Sequence, residues 1–166
     1  LARLGIENDV YQTWTGLKTR SETVDAQSEI LTQAEMTLAT TDESGQPHAA
    51  AVYFAADDAG RLYFFSDPNT AHARNLARSP RAAATIQPRE RDWRAIRGLQ
   101  LHGEVLPVAP GADWERAFEL YVAKFPFVSE LKDALKQNTL YVLLPDWVRL
   151  VDNRRGFGFK EERGSL

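Results

Sequence analysis

The chain has 166 residues, a length that fits one domain better than several. A hydrophobic content of 43%, with only 10 Gly and 8 Pro, excludes a disordered chain, a collagen-like repeat and a linker protein. The net charge of −3 argues against a general nucleic-acid binder, and the absence of cysteine excludes disulfides, thiolate catalysis, zinc fingers and iron–sulfur clusters. No apolar run approaches the ~18–20 residues that a membrane span needs. Residues 1–16 lack the basic-then-apolar order of a signal peptide. A cytoplasmic protein with no membrane and no nucleic-acid partner is the expectation.

In chain order, residues 1–20 show no sustained period and read as an irregular arm, with Trp14 and Leu17 available to pack. Residues 21–166 read as a single domain. From Ser21, a potential cap, the pattern turns helical, with Val24, Ser28 and Leu31, and then Ala34, on one stripe at helical spacing. Met36, Leu38 and Thr40 then alternate with Thr37, Ala39 and Thr41 before the turn Asp42-Glu43-Ser44-Gly45. The run PHAAAVYFAA from Pro47 is a second strand, Asp57-Asp58-Ala59-Gly60 a turn, and Arg61 to Ser66 a third strand. Asn69 or Thr70 opens a short helix that stops before Pro80, its buried stripe read as Ala73, Leu76 and Ala77. Arg81 to Gln87 and Leu99 to Val108 are the fourth and fifth strands. Trp114, Ala117, Phe118, Tyr121 and Phe125 mark another helix, and Leu140 to Val151 a last strand bent at Pro145. Six mostly antiparallel strands with intervening helices fit a small barrel better than a sandwich, because the helix at 70–78 interrupts the run of strands.

Three constellations bear on chemistry. In FFSDPNTAHARNLARSP a strand ends at Ser66 and a helix begins near Thr70, so free N–H groups, two hydroxyls and the His72 imidazole fall together. That pattern serves either as a simple helix cap or as a phosphate cradle. Between Arg74 and Arg97 lie seven arginines against only Glu90 and Asp92. Most read as a solvated face; Arg97, which abuts a strand, is retained as a candidate anion contact. His48, His72 and His102 are far apart, with no carboxylate at ligand spacing, so no metal site is expected. Nucleophile elbows, Walker loops and dinucleotide fingerprints are missing.

The segments MTLATTDESGQPHAAAVYFA, LYFFSDPNTAHARNLARSPRAAATI and IRGLQLHGEV together resemble the pyridoxamine 5′-phosphate oxidase-like split-barrel family. IRGLQLHGEV followed by DNRRGFGF looks like its YhbP-like bacterial branch. The resemblance implies a mainly β fold, a six-stranded antiparallel split barrel with flanking helices. It also implies a homodimer that holds FMN in clefts between its subunits. Carried over residue by residue, Ala50, Ala51, Val52 and Tyr53 would run beside the isoalloxazine. Ser66, Thr70 and His72 would meet the phosphate, and Arg97 and Gln100 would approach from a neighbouring strand. The chain departs from the oxidases at Ala50, Ala55 and Ala71, where they carry basic residues. Arg97 and Arg74 are then the cations left to replace them.

The resemblance favours an FMN-dependent oxidoreductase acting on a small molecule that the sequence does not name. The deazaflavin F420 would use the same phosphate region. Haem is less favoured, because it needs an axial ligand and no histidine follows His102. The three alanines motivate a third reading, a cofactor-free dimeric stress or binding protein.

Overall fold

The computed structural model describes residues 22–131, 135, 137–164 and 166. The expected arm at 1–20 and the Ser21 cap lie outside the described residues. The helix α1 (22–31) is followed by strands β1 (Glu35–Thr41), β2 (Pro47–Tyr53), β3 (Ala55–Ala56) and β4 (Leu62–Ser66). Helix α2 (Ala71–Arg78) precedes β5 (Arg81–Ile86) and β6 (Arg97–Pro107). Helix α3 (Ala112–Lys124), β7 (Thr139–Asp152) and β8 (Lys160–Arg163) complete the order. The strands form one antiparallel sheet in the order β2-β1-β5-β6-β7-β4-β3, with β8 on β7, and it curls into the expected split-barrel architecture.

There are two strands more than the sequence pattern gives. The run from Pro47 breaks at Phe54, whose N–H turns to the Ala34 carbonyl (3.1 Å), which leaves β3 as a separate piece. The tail returns as β8 beside the second half of β7. β7 is the spine. β6 lies along one edge, while β4 and then β8 share the other, on 139–143 and 148–151. Between those two partners sit Pro145 and Asp146, opposite a register shift at His102/Gly103. A side chain at Gly103 would run into the Leu144 carbonyl, so the close approach requires glycine.

Met36, Leu38, Leu62, Phe64, Leu101 and Leu143 fill the interior of the curl. On the other side of β4, α3 packs Tyr121 and Phe125 near Ala55, and Ala117 against Tyr63 and Leu140. β4 is therefore covered on both faces, which explains its unbroken apolar run LYFF.

Two expected helix faces are corrected. In α1 the buried residues are Thr23, Ala26, Gln27 and Ile30, one position round from the expected stripe, and Val24 is 46% exposed. Thr23 is buried with a partner: its Oγ1 lies 2.7 Å from Glu161 Oε2 on β8. In α2 Ala77 is exposed and Asn75 is buried, because Asn75 Nδ2 donates to Thr40 Oγ1 on β1 (3.0 Å).

Candidate cofactor site

The site begins where β4 runs out. Ser66 is its last residue, paired with Thr139 and buried on the same side as Leu62 and Phe64. Four residues later Thr70 caps α2, its hydroxyl accepting from the Ala73 N–H (3.3 Å). Asp67 shapes the connection: its carboxylate accepts from the Asn69 N–H (2.7 Å) and side-chain amide (3.0 Å). That geometry brings three polar side chains to one point. Ser66 Oγ lies 2.6 Å from His72 Nε2 and 3.2 Å from Thr70 Oγ1. Beside them the first turn of α2 carries N–H groups with no intrahelical acceptor and the positive end of the helix dipole. His72 is half-buried, and burial alone pushes its pKa below the ordinary histidine value. The donor set is hydroxyls, an imidazole and backbone amides, with the exposed Asp67 carboxylate bonded to Asn69 through Oδ1. Such a set fits a phosphate group.

The other candidates divide between two faces. β2 ends one side of the sheet, and α2 packs against β1 and β2. Ala50 and Val52 point to the inner side, while Ala51 and Tyr53 are exposed on the outer side. Tyr53 is engaged by the α3 region: its carbonyl accepts from Tyr121 (3.2 Å) and its ring meets Phe125 edge-on. Gln100 also faces outward, in one row with Ala51, Thr37, Thr85 and Arg149, and it accepts from Arg149 (3.3 Å). A second outward row runs Ala49, Ala39, Ala83, His102, Trp147.

The expectation that Arg97 and Arg74 stand in for the missing cations is not met in this geometry. Arg97 forms an ion pair with Glu29 of α1 (2.6 Å) and lies 3.6 Å from Glu90. Arg74 turns back to the Asn69 carbonyl. Of the other arginines in the run, Arg81 pairs with Asp146 and Arg94 with Asp92, whereas Arg89 and Arg91 are exposed. They make the largely solvated face that their spacing gives.

Sequence spacing missed the histidine–carboxylate pairs. His48 Nε2 lies 3.3 Å from Asp42, and His102 Nδ1 lies 2.7 Å from Asp146. Arg81 joins that second pair, and Trp147 stacks on the imidazole with ring centroids 4.9 Å apart. The only signal for it was Pro145, whose bend thrusts Asp146 out of the ladder. Among the described residues no three potential metal ligands gather. Also missed was Lys124, which donates to the Leu31 and Gln33 carbonyls (2.9 and 2.6 Å) at the end of α1.

Comparison with known proteins agrees with this architecture. A family model described as pyridoxamine 5′-phosphate oxidase matches residues 24–152. The chain therefore belongs to the pyridoxamine 5′-phosphate oxidase family. A UPF0306 protein of Enterobacter sp. (strain 638) is 28% identical over 112 residues, covering 68% of this chain and 75% of the relative. A pyridoxine/pyridoxamine 5′-phosphate oxidase of Chromohalobacter salexigens is 28% identical over 141 residues, covering 84% of this chain but 58% of the oxidase. Among solved structures, a heme binding protein from Mycobacterium smegmatis superposes with a TM-score of 0.68 at 26% identity, over 80% of this chain and 53% of that one. An FAD-binding protein from Mesorhizobium loti shares the fold, with a TM-score of 0.62 at 16% identity over 76% of this chain and 89% of that one. Among the described residues no helix is long and apolar enough to cross a membrane.

Proposed function

We propose that this chain is a flavin-binding protein of oxidoreductase type that holds FMN by its phosphate at the β4–α2 junction. The observation that carries the reading is the convergence of Ser66, Thr70 and His72 within hydrogen-bond reach of one another at a helix start. Family membership supports it: residues 24–152 match the oxidase family model. When bound, the flavin supplies hydride-type transfer, and the chain's task is to bind and orient it. Ser66 offers a hydroxyl donor, the Thr70 hydroxyl would turn to the phosphate from the Asp67 carbonyl it bonds here (2.9 Å), and the α2 amides offset phosphate charge. Ala50 and Val52 bound the inner side of β2 next to α2.

The working unit in this reading is a homodimer that meets across the outer sheet face. Its rows of Ala39, Ala49, Ala51 and Ala83 leave a shallow surface that a second copy can approach closely. Ala83→Arg is expected to give monomers by light scattering and to weaken FMN binding with them.

The deciding experiment is an absorbance spectrum of the purified protein, followed by titration with FMN. Flavin bands, and their loss in the Thr70→Ala/His72→Ala double variant, are the expected result. A Soret band would move the reading to haem, with His102 the exposed imidazole to test first. A deazaflavin band would move it to F420. A colourless protein with no affinity for FMN, F420 or haem would leave a cofactor-free dimer.

A further inference from the structure

We propose that the β4–α2 junction takes up one proton when it captures a phosphate dianion: His72 is neutral in the free protein and imidazolium in the complex, replacing the permanent cation that the junction lacks. The proposal rests on the flavin-phosphate reading above.

His72 Nε2 points at the spot shared by both hydroxyls, 2.6 Å from Ser66 Oγ, which is itself only 7% exposed. Any anion that meets Ser66 and Thr70 therefore meets this nitrogen as well. The fixed charges around the junction are engaged elsewhere. On α2, Arg74 is turned to the Asn69 carbonyl and Arg78 lies 3.9 Å from Glu43. In the connection, Asp67 is held by Asn69. From β1 the residue facing α2 is neutral, Thr40, bonded to Asn75. On β2, His48 is turned to Asp42, and on β7 the partner of Ser66 is Thr139. Among the described residues no side-chain charge is bonded to His72, and burial disfavours its imidazolium.

A dianion placed against a half-buried serine needs compensating charge, and charge-assisted hydrogen bonds are the strong ones. Among the described side chains that touch this point, His72 alone can acquire a full positive charge. An approaching anion raises its proton affinity, and by linkage the proton raises the affinity for the anion. In the free protein Ser66 shares its hydrogen bond with the imidazole. In the complex Nε2–H donates to phosphate, and the Ser66 hydroxyl is released to donate beside it.

The sign is fixed by this linkage. Binding weakens as pH rises between the histidine pKa of the free protein and the higher one of the complex. The limit is about tenfold in Kd per pH unit for one proton. Calorimetric titration of the full chain with FMN at pH 7 to 8, in two buffers of different protonation enthalpy, is expected to show close to one proton taken up per flavin. Riboflavin, which lacks the phosphate, is the reference ligand and should bind without that uptake. His72→Lys should bind FMN with no proton uptake and a flat pH profile, and His72→Gln should bind weakly and flatly. FMN binding by the unaltered chain with no proton uptake overturns the proposal and leaves the flavin reading standing. No binding of FMN at any pH overturns both.

Discussion

Two histidines on opposite sides of the sheet show what separates a receptive site from a satisfied one. His102 lies on the outer face with Asp146 at 2.7 Å, Arg81 behind that carboxylate and Trp147 stacked on the ring. Its charges close on themselves. His72 lies at the β4–α2 junction with two hydroxyls and no carboxylate, half-buried, with its charged form disfavoured. The first cluster has the denser network, yet it asks nothing of a ligand. The second is chemically incomplete, and it is the one placed at a helix start. A count of polar contacts would favour the outer cluster; the unanswered demand for charge favours the junction, where the proposed site lies.

The comparison can be broken most violently under the outer cluster. Gly103→Ala drives a methyl group into the Leu144 carbonyl, where backbone meets backbone and neither strand can yield alone. A loss of about 3 kcal/mol or more is expected in chemical denaturation, with the β6–β7 ladder opened. If Gly103→Ala is tolerated at little cost, the bulge is not what sets Asp146 against His102. The junction is attacked less severely through Asn75. Asn75→Ala leaves the buried Thr40 hydroxyl without its donor and unpins α2 from β1. About 1–3 kcal/mol is expected, together with weaker FMN binding, since the helix start moves with the helix.

Lys124 sharpens the comparison from a third position, because its response to pH acts on stability rather than on phosphate capture. Burial lowers its pKa from 10.5 to about 8 while its ammonium bonds the Leu31 and Gln33 carbonyls. The unfolded chain then holds more protons on this group than the folded one between those two values. Stability from this source therefore rises as pH climbs from about 8 to 10.5. Lys124→Met should remove that rise. Near neutral pH it should cost about 1–2 kcal/mol for the two bonds at the end of α1. A flat unfolding midpoint across that alkaline range in the unaltered chain would show Lys124 to be better solvated than its packing over Phe54 implies.

The sequence carried the fold further than the site, for a physical reason. Period-2 alternation is local, so Met36, Leu38 and Thr40 separate in sequence from Thr37, Ala39 and Thr41, and in the structure the first set is the buried face. The junction was legible for the same reason, since Ser66, Thr70 and His72 lie within seven residues. What failed depended on partners distant in the chain. The α1 stripe was misplaced because Thr23 is buried by Glu161, 138 residues away. Asn75 on α2 was passed over because its partner, Thr40, lies on β1. Arg97 was assigned to an anion because nothing local revealed Glu29. β8 was missed because a four-residue polar strand has no apolar pattern until β7 is there to pair with it.

The smallest expected effect tests the claim that the outer cluster is satisfied rather than receptive. Asp146→Asn keeps the shape and removes the carboxylate that holds Arg81 and His102, the two partners whose bonds now draw the Asp146 pKa down to about 2. All three side chains are substantially exposed, so water can replace much of what the carboxylate supplied. The thermal midpoint should move less than in Lys124→Met, and added salt should erase the difference. The Trp147 ring keeps its contact with Arg149 from the other neighbour, so the stack does not depend on Asp146 alone. FMN affinity should be unchanged. A large loss of FMN binding in Asp146→Asn, with the oligomeric state unchanged, would show that the ligand reaches the outer face. The two histidines would then belong to one site, and the contrast between them would fall.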